Sequence, residues 1–256
     1  MTPTELAEYL DSVRITGQVA TSRQNNLRHM REFLEGSDTL WFGVELTREW
    51  TYDDVFDLMH ERVGTSADRD HLEGQDTIDG ALCVAALDRF ADRLGASAHA
   101  EERILFATGH PAGLMPVHAA FARAIARVGA TAVQVPEGRR FREGDIRQIF
   151  DVLVWHQHGG LMHTHFPEPM RLSLDTLAAR GLAAPDLVVA DHGWAGHAAT
   201  AGIPTLGFAD CNDPGLFVSE AQGQLEVAVP LDDNVCPGLY GPLVDYVLER
   251  ADLPRM

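Results

Sequence analysis

Leu187-Val188-Val189-Ala190-Asp191-His192-Gly193-Trp194-Ala195-Gly196-His197 reads as a short apolar strand, a polar strand end and a helix start made of small residues. Four consecutive apolar residues, two of them β-branched, are too few for a helix and suit a strand buried on both faces. The same pattern recurs upstream, where Ile104-Leu105-Phe106-Ala107 runs into Thr108-Gly109-His110-Pro111-Ala112-Gly113, and downstream, where Thr205-Leu206-Gly207-Phe208 runs into Ala209-Asp210-Cys211-Asn212-Asp213-Pro214. Further strands are predicted at 132–135, 152–155 and 225–229, the last followed by Pro230-Leu231-Asp232-Asp233-Asn234. Between the first two strands, Val117, Phe121, Ile125 and Val128 form a helical stripe closed by Gly129. Strands alternating with helices imply an α/β fold with a mostly parallel, Rossmann-like sheet.

Upstream of residue 101 the pattern is mainly helical. Leu6, Tyr9 and Leu10, then Leu27, Met30 and Leu34, recur at three- and four-residue steps, predicting helix from 3 to about 36. Further helices are expected at 52–62 and along Cys83, Leu87, Phe90 and Leu94, the latter capped by Asp79. With no low-complexity linker, residues 1–256 are read as a single α/β domain, with 1–100 the helical N-terminal part and 101–256 the sheet that carries the site. Arg23-Gln24-Asn25-Asn26-Leu27-Arg28-His29 is dense in polar side chains and reads either as a solvated helix face or as a patch facing substrate.

Composition removes several functions. The formal net charge of −18, from 38 acidic and 20 basic residues, opposes binding to nucleic acid or to an anionic membrane. No apolar run approaches the roughly 20 residues of a membrane-spanning helix. The N-terminal Met1-Thr2-Pro3-Thr4-Glu5 lacks the basic start of a secretory or transit signal, and the three scattered cysteines suit reduced thiols, so a cytoplasmic location is expected. Every basic residue is arginine. Without lysine, neither Schiff-base chemistry nor a Walker-type phosphate loop is available. Cys83 and Arg89 have the spacing of a thiol phosphatase, but the residues between them read as helix interior. No GxSxG, DxDxT, Arg-His-Gly or GxGxxG motif stands in a suitable place.

In open α/β sheets ligands gather outside the carboxyl ends of strands, so the three polar strand ends are the expected site. Eight of the 12 histidines lie between His110 and His197. The segment from Trp155 to His165 carries alternating histidines on both sides of Gly159-Gly160, and a hairpin there would align several imidazoles on one face. Imidazole and carboxylate together suit zinc or manganese, whereas Asp and Asn alone suit magnesium. A divalent metal and metal-free acid–base chemistry both remain open.

The strand-end series, together with Asp76-Thr77-Ile78-Asp79, Val229-Pro230-Leu231-Asp232-Asp233-Asn234-Val235 and Asn25-Asn26-Leu27-Arg28-His29, resembles a bacterial protein family known simply as phosphatases. The likeness spans most of the chain. It implies a hydrolase that releases phosphate from a small phosphorylated metabolite. On that expectation His110, Asp191, His192 and Asp210 are the catalytic candidates, with His110 or His192 as acid or base. His163, His165, Asp191 and Asp210 are the candidate metal ligands for Mg, Mn or Zn. Asn25, Arg28, Gly109, Gly193, Asn212 and Asp213 are the candidate substrate contacts. Two alternatives stand beside this reading: a sugar-nucleotide-binding transferase or epimerase, and a protein that binds a phosphorylated metabolite without turnover.

Overall fold

The computed structural model describes residues 1–255. In chain order the elements begin with α1 (Pro3–Ser12), β1 (Gly17–Ser22), α2 (Arg23–Leu34), α3 (Tyr52–Val63), β2 (Gln75–Ile78) and α4 (Gly80–His99). Then come β3 (Arg103–Ala107), α5 (Met115–Arg127), β4 (Thr131–Ala132), β5 (Arg139–Phe141), β6 (Gly144–Ile149), β7 (Val152–Gln157), β8 (Gly160–Met162) and α6 (Glu168–Ala179). The chain closes with β9 (Leu187–Asp191), α7 (His192–Thr200), β10 (Thr205–Ala209), α8 (Pro214–Ala221), β11 (Val227–Pro230) and α9 (Gly241–Arg250).

The main sheet is mixed. Its parallel part runs β11-β10-β9-β3-β7, with β4 pairing in parallel with the first half of β3. Beyond β7 the sheet turns antiparallel through β6 and β5, and β8 also pairs antiparallel with β7. From β3 the chain first builds outward to β7, then crosses back to place β9 on the other flank of β3. The crevice between the carboxyl ends of β3 and β9 is therefore the point where the winding reverses, and loops diverge there to leave room for a ligand.

Side chains alternate across the sheet and form two cores, as the period of two requires. Ile104, Phe106, Val152, Val154, Leu187 and Val189 pack with α1, α4, α5 and α9 on one face. Leu105, Ala107, Leu153, Val188 and Ala190 pack with α2, α3, α7 and α8 on the other. The N-terminal helices thus supply part of both layers.

Several expectations are corrected. Helix does not run from 3 to 36, because Ile15 and Thr16 are β-branched and Gly17, at φ +70°, turns the chain into β1, which pairs antiparallel with β2. The strand expected at 132–135 shortens to Thr131–Ala132. Beyond it the Gln148 side chain takes the ladder's place, accepting from Val135 N–H at 3.0 Å and donating to Val133 O at 2.7 Å. The 155–165 hairpin forms, but as β7–β8 it directs His156 to Asp145, 2.9 Å away, and leaves His158 exposed, far from a shared imidazole face. Asp79 caps α4 as expected, accepting from Ala81 and Leu82 N–H at 2.8 and 3.0 Å.

The polar stretch at the start of α2 is only partly a solvated face, with Gln24 and Arg28 exposed. Arg23 and Asn26 are fully buried, and Asp76 accepts from Arg23 at 2.8 Å and from Asn26 at 2.9 Å. Burial opposes ionisation of Asp76, but Arg23 and the N–H groups of Ser66 and Thr77 outweigh it and hold the carboxyl below its usual range. Asp76→Ala strands the Arg23 guanidinium in the interior. We expect a loss of about 3–5 kcal/mol in urea unfolding, far above the effect of removing an exposed ion pair.

Candidate active site

His192 is the hinge of the site. It comes directly after the last residue of β9 and holds φ +46°, a left-handed conformation uncommon for residues other than glycine and found preferentially where function demands it. The sharp strand-to-helix turn lifts its ring out over the sheet edge. The turn is possible because the first turn of α7 carries glycines: a Cβ on Gly193 would lie 2.3 Å from the His165 carbonyl oxygen, and one on Gly196 would lie 2.2 Å from that of Phe42. Phe42 in turn stacks on the His192 ring with centroids 5.8 Å apart.

Asp191 lies behind this histidine. Fully buried, it accepts from Gly109 N–H at 2.6 Å and from the Thr108 hydroxyl, with His118 Nε2 at 3.3 Å. His192 Nδ1 lies 3.3 Å from Asp191 Oδ1. Burial opposes the charge of Asp191, but contacts with His118 and His192 outweigh it and hold the carboxyl well below the usual carboxylate range. A carboxylate on one ring nitrogen fixes the orientation of the imidazole and turns the other nitrogen outward.

That other nitrogen faces acid. His192 Nε2 lies 3.2 Å from Asp213 and 3.1 Å from Asp233, while His110 Nδ1 lies 3.0 Å from the second oxygen of Asp233. Burial disfavours protonation of His192, yet Asp213, Asp191 and Asp233 together raise its pKa well above that of a free imidazole. His163 and His165, packed against these rings, are driven the opposite way, mainly by burial and then by His192, to about 4 and about 3. Both stay neutral near pH 7. Their loop is pinned by Thr164 N–H donating to Gly109 O at 2.9 Å, and His165 Nδ1 lies 2.8 Å from Thr39 O.

Asp210 and Asp232 complete the acid cluster. Asp210 accepts from Thr21 Oγ1 and from Cys211 N–H, each at 2.6 Å; Asp232 accepts from Asn234 N–H at 3.0 Å and from Ala20 N–H at 3.4 Å. Burial, then the neighbouring carboxylates, pushes Asp210 well above its usual pKa, and Asp232 is raised by burial first as well. Asp233 is different: burial opposes its charge, but His110 and His192 outweigh that and lower it.

These groups surround a cavity of about 530 Å³ lined by five histidines (His29, His110, His163, His165, His192) and four aspartates (Asp210, Asp213, Asp232, Asp233), with Asn25, Asn212, Asn234 and Thr21. No arginine lines it among the described residues. Three sets of donor atoms converge closely enough to hold a cation: His110 with His163 and His192, His165 with His192 and Asp213, and Asp210 with Asp232 and Asp233. The fit is supported by orphaned atoms. On the cavity wall, Asp213 Oδ1 and Asp233 Oδ2 are buried without a properly aligned hydrogen bond, although His192 Nε2 is near. Native interiors rarely leave such groups unmatched.

Of the residues singled out from the sequence, His110, His163, His165, His192, Asp210, Asn212, Asp213 and Asn25 line this cavity. Asp191, Gly109 and Gly193 stand behind it, as orienting partner, amide donor and point of close backbone contact. Arg28 lies in an adjoining groove. Sequence reasoning did not single out Thr21, His29, Asp232, Asp233 or the buried His118. Asp232 and Asp233 carried the needed signal, since they come just after the last predicted strand. His29 is four residues from Asn25, on the same helix face, with Nδ1 2.9 Å from Asn212 O. Cys83 is buried inside α4, where burial raises its pKa and denies it a thiolate role.

A family model described as Phosphatase matches residues 1–255. The chain belongs to the Phosphatase family. It is 49% identical over 251 residues to Phosphatase SCO2771 of Streptomyces coelicolor, an alignment covering 97% of this chain and 96% of that protein. The resemblance carried by the strand-end motifs is thereby borne out, and this phosphatase is an enzyme rather than a binding protein alone. Among the described residues, no helix is long and apolar enough to cross a membrane.

Proposed function

We propose that this phosphatase hydrolyses small phosphate monoesters with the help of divalent cations held at the carboxyl ends of β3, β9, β10 and β11, in a Rossmann-like crevice. One observation carries the reading: among the described residues, the cavity gathers four aspartates and five histidines and no arginine. Four carboxylates outnumber His192, the lining imidazole whose pKa is raised well above that of a free ring, so such a lining would repel a phosphate dianion unless bound cations add further positive charge. The donor set fits borderline and hard cations alike, imidazole for zinc or manganese and clustered carboxylates for magnesium or manganese.

In this reading Asp210, Asp232 and Asp233 hold one cation, and His165, His192 and Asp213 hold another. His192 turns Nε2 toward Asp213 and Asp233 and can hold one cation at a time with it, which makes the two imidazole sets alternatives. Bound cations would offset the charge on the phosphate oxygens and ease deprotonation of the attacking water. The chain's own residues do the rest. Asp191 keeps His192 in register; Asn25, Asn212 and Thr21 offer hydrogen bonds to phosphate or water. His110, backed by Asp233 at 3.0 Å, gives a proton to the leaving oxygen as the ester P–O bond breaks; the attacking water supplies the new oxygen, and the proton it sheds passes to solvent, from which His110 is reprotonated. The free cysteines fit a cytoplasmic setting.

The test is phosphate release from a panel of small phosphate monoesters by purified protein, stripped with a chelator and then supplied with magnesium, manganese or zinc. Release restored by one of these ions is expected. Full release under excess chelator would overturn the cation assignment.

A further inference from the structure

A second groove opens beside the acid cavity, about 440 Å³ in volume and lined by Arg28, His29, Glu32, Thr39, Leu40 and the 163–166 loop. It shares His29, His163 and His165 with the first cavity, so a molecule whose phosphate sits among the aspartates can extend the rest of itself only a short way before meeting these walls. The chemistry of the two spaces differs. The first has no arginine; the second has Arg28, the single permanently cationic side chain among the described residues that line either space.

Arg28 is aimed rather than trailing in solvent. Its Nη2 donates to Asn25 Oδ1 at 2.7 Å and lies 3.4 Å from His29 Nε2, so two residues of the phosphate cavity hold the guanidinium at the mouth between the spaces. Its acidic neighbour, Glu32, is 3.8 Å from Nε, and the side chains are 61% and 37% exposed. Such a solvated i,i+4 pair is weak. A substrate anion that can meet the guanidinium fork with two oxygens would displace it readily. Leu40 and Phe166 also line the groove and offer contact to a short carbon chain, with the Arg142 guanidinium 3.7 Å from the centre of the Phe166 ring.

We infer that this groove is the leaving-group subsite and that Arg28 makes it selective for phosphate monoesters whose leaving group bears a second anion, a carboxylate or another phosphate. The inference rests on the proposed hydrolase reading. In a protein of net charge −18, a doubly anionic substrate needs a local cation at each end. The metal-binding cluster serves the scissile phosphate, and Arg28 serves the other end.

The matched pair 3-phosphoglycerate and glycerol 3-phosphate isolates this contact, because the two differ only by a carboxylate in place of a hydroxymethyl group. With cation-loaded enzyme, kcat/KM is expected to favour 3-phosphoglycerate by at least tenfold. Arg28→Gln should shrink that ratio at least tenfold, chiefly through KM, and Arg28→Lys should restore part of it. Glu32→Gln, which removes the competing acid, should raise the ratio. If Arg28→Gln lowers both substrates equally, or wild type shows no preference, the selectivity assignment is overturned while the hydrolase stands. If neither substrate nor any simple aryl phosphate is hydrolysed with any of the three cations, the hydrolase reading fails and takes this inference with it.

Discussion

His192→Asn is expected to lower kcat/KM for phosphate release by about 10³-fold while the protein remains folded. The size of the effect comes from convergence. The ring is held from behind by Asp191 and faces Asp213 and Asp233 in front, so one substitution removes a cation ligand and uncouples two aspartates from their partner. Asn is the informative replacement because it tolerates the left-handed backbone that position 192 adopts, at φ +46°, better than Ala or Gln. A loss of activity with an unchanged unfolding midpoint then belongs to the imidazole and not to the turn. Steady-state kinetics and thermal unfolding on the same preparation make the comparison. Activity within threefold of wild type would remove His192 from the centre of the mechanism.

Asp210→Asn is expected to act in opposite directions on turnover and on stability. Turnover should fall on the order of 10²-fold or more, because the carboxylate cluster loses a charge that a cation needs. The metal-free protein should become more stable. Asp210 is buried next to Asp213, Asp232 and Asp233, and its pKa is raised well above the usual carboxylate value. The folded state therefore holds its proton more tightly than the unfolded state, so between the ordinary pKa and the raised one its ionisation costs stability, a cost that persists at neutral pH. Asn removes that cost and keeps the local geometry: its amide oxygen can accept from Cys211 N–H, and its NH₂ can donate to a rotated Thr21 hydroxyl. Such an exchange of stability for activity marks a site assembled for function. A variant that is both less stable and fully active would show Asp210 to be structural.

Much of this site could be read in the chain itself, and the reason is topological. Apolar runs at 104–107, 187–190 and 205–208 made strands whose ends had to carry polar loops, so Thr108-Gly109-His110, Asp191-His192 and Asp210 through Asp213 were bound to meet once the strands lay side by side. Adjacency of β3 and β9 is a property of winding and is invisible in a strand pattern alone. The division of labour was hidden for the same reason. Asp191 and His192 are neighbours in sequence, yet one points into the interior and the other into the cavity, because the chain turns between them. His163 and His165 look equivalent to His156 and His158 in the sequence. Only the point at which β8 ends, Met162, separates the pair that reaches the site from the pair that stays on the outer edge. The strand β1 was masked by helical spacing on either side of it, and with it went Thr21, whose partner Asp210 is 189 residues away.

Calorimetric titration of magnesium, manganese and zinc into metal-free wild type and Asp210→Asn tests the central claim most directly. The account predicts saturable binding of at least one of these ions to wild type, a matching rise in the thermal midpoint, and marked weakening of both in the variant. Wild-type protein that binds none of the three, yet releases phosphate at full rate in excess chelator, would contradict it.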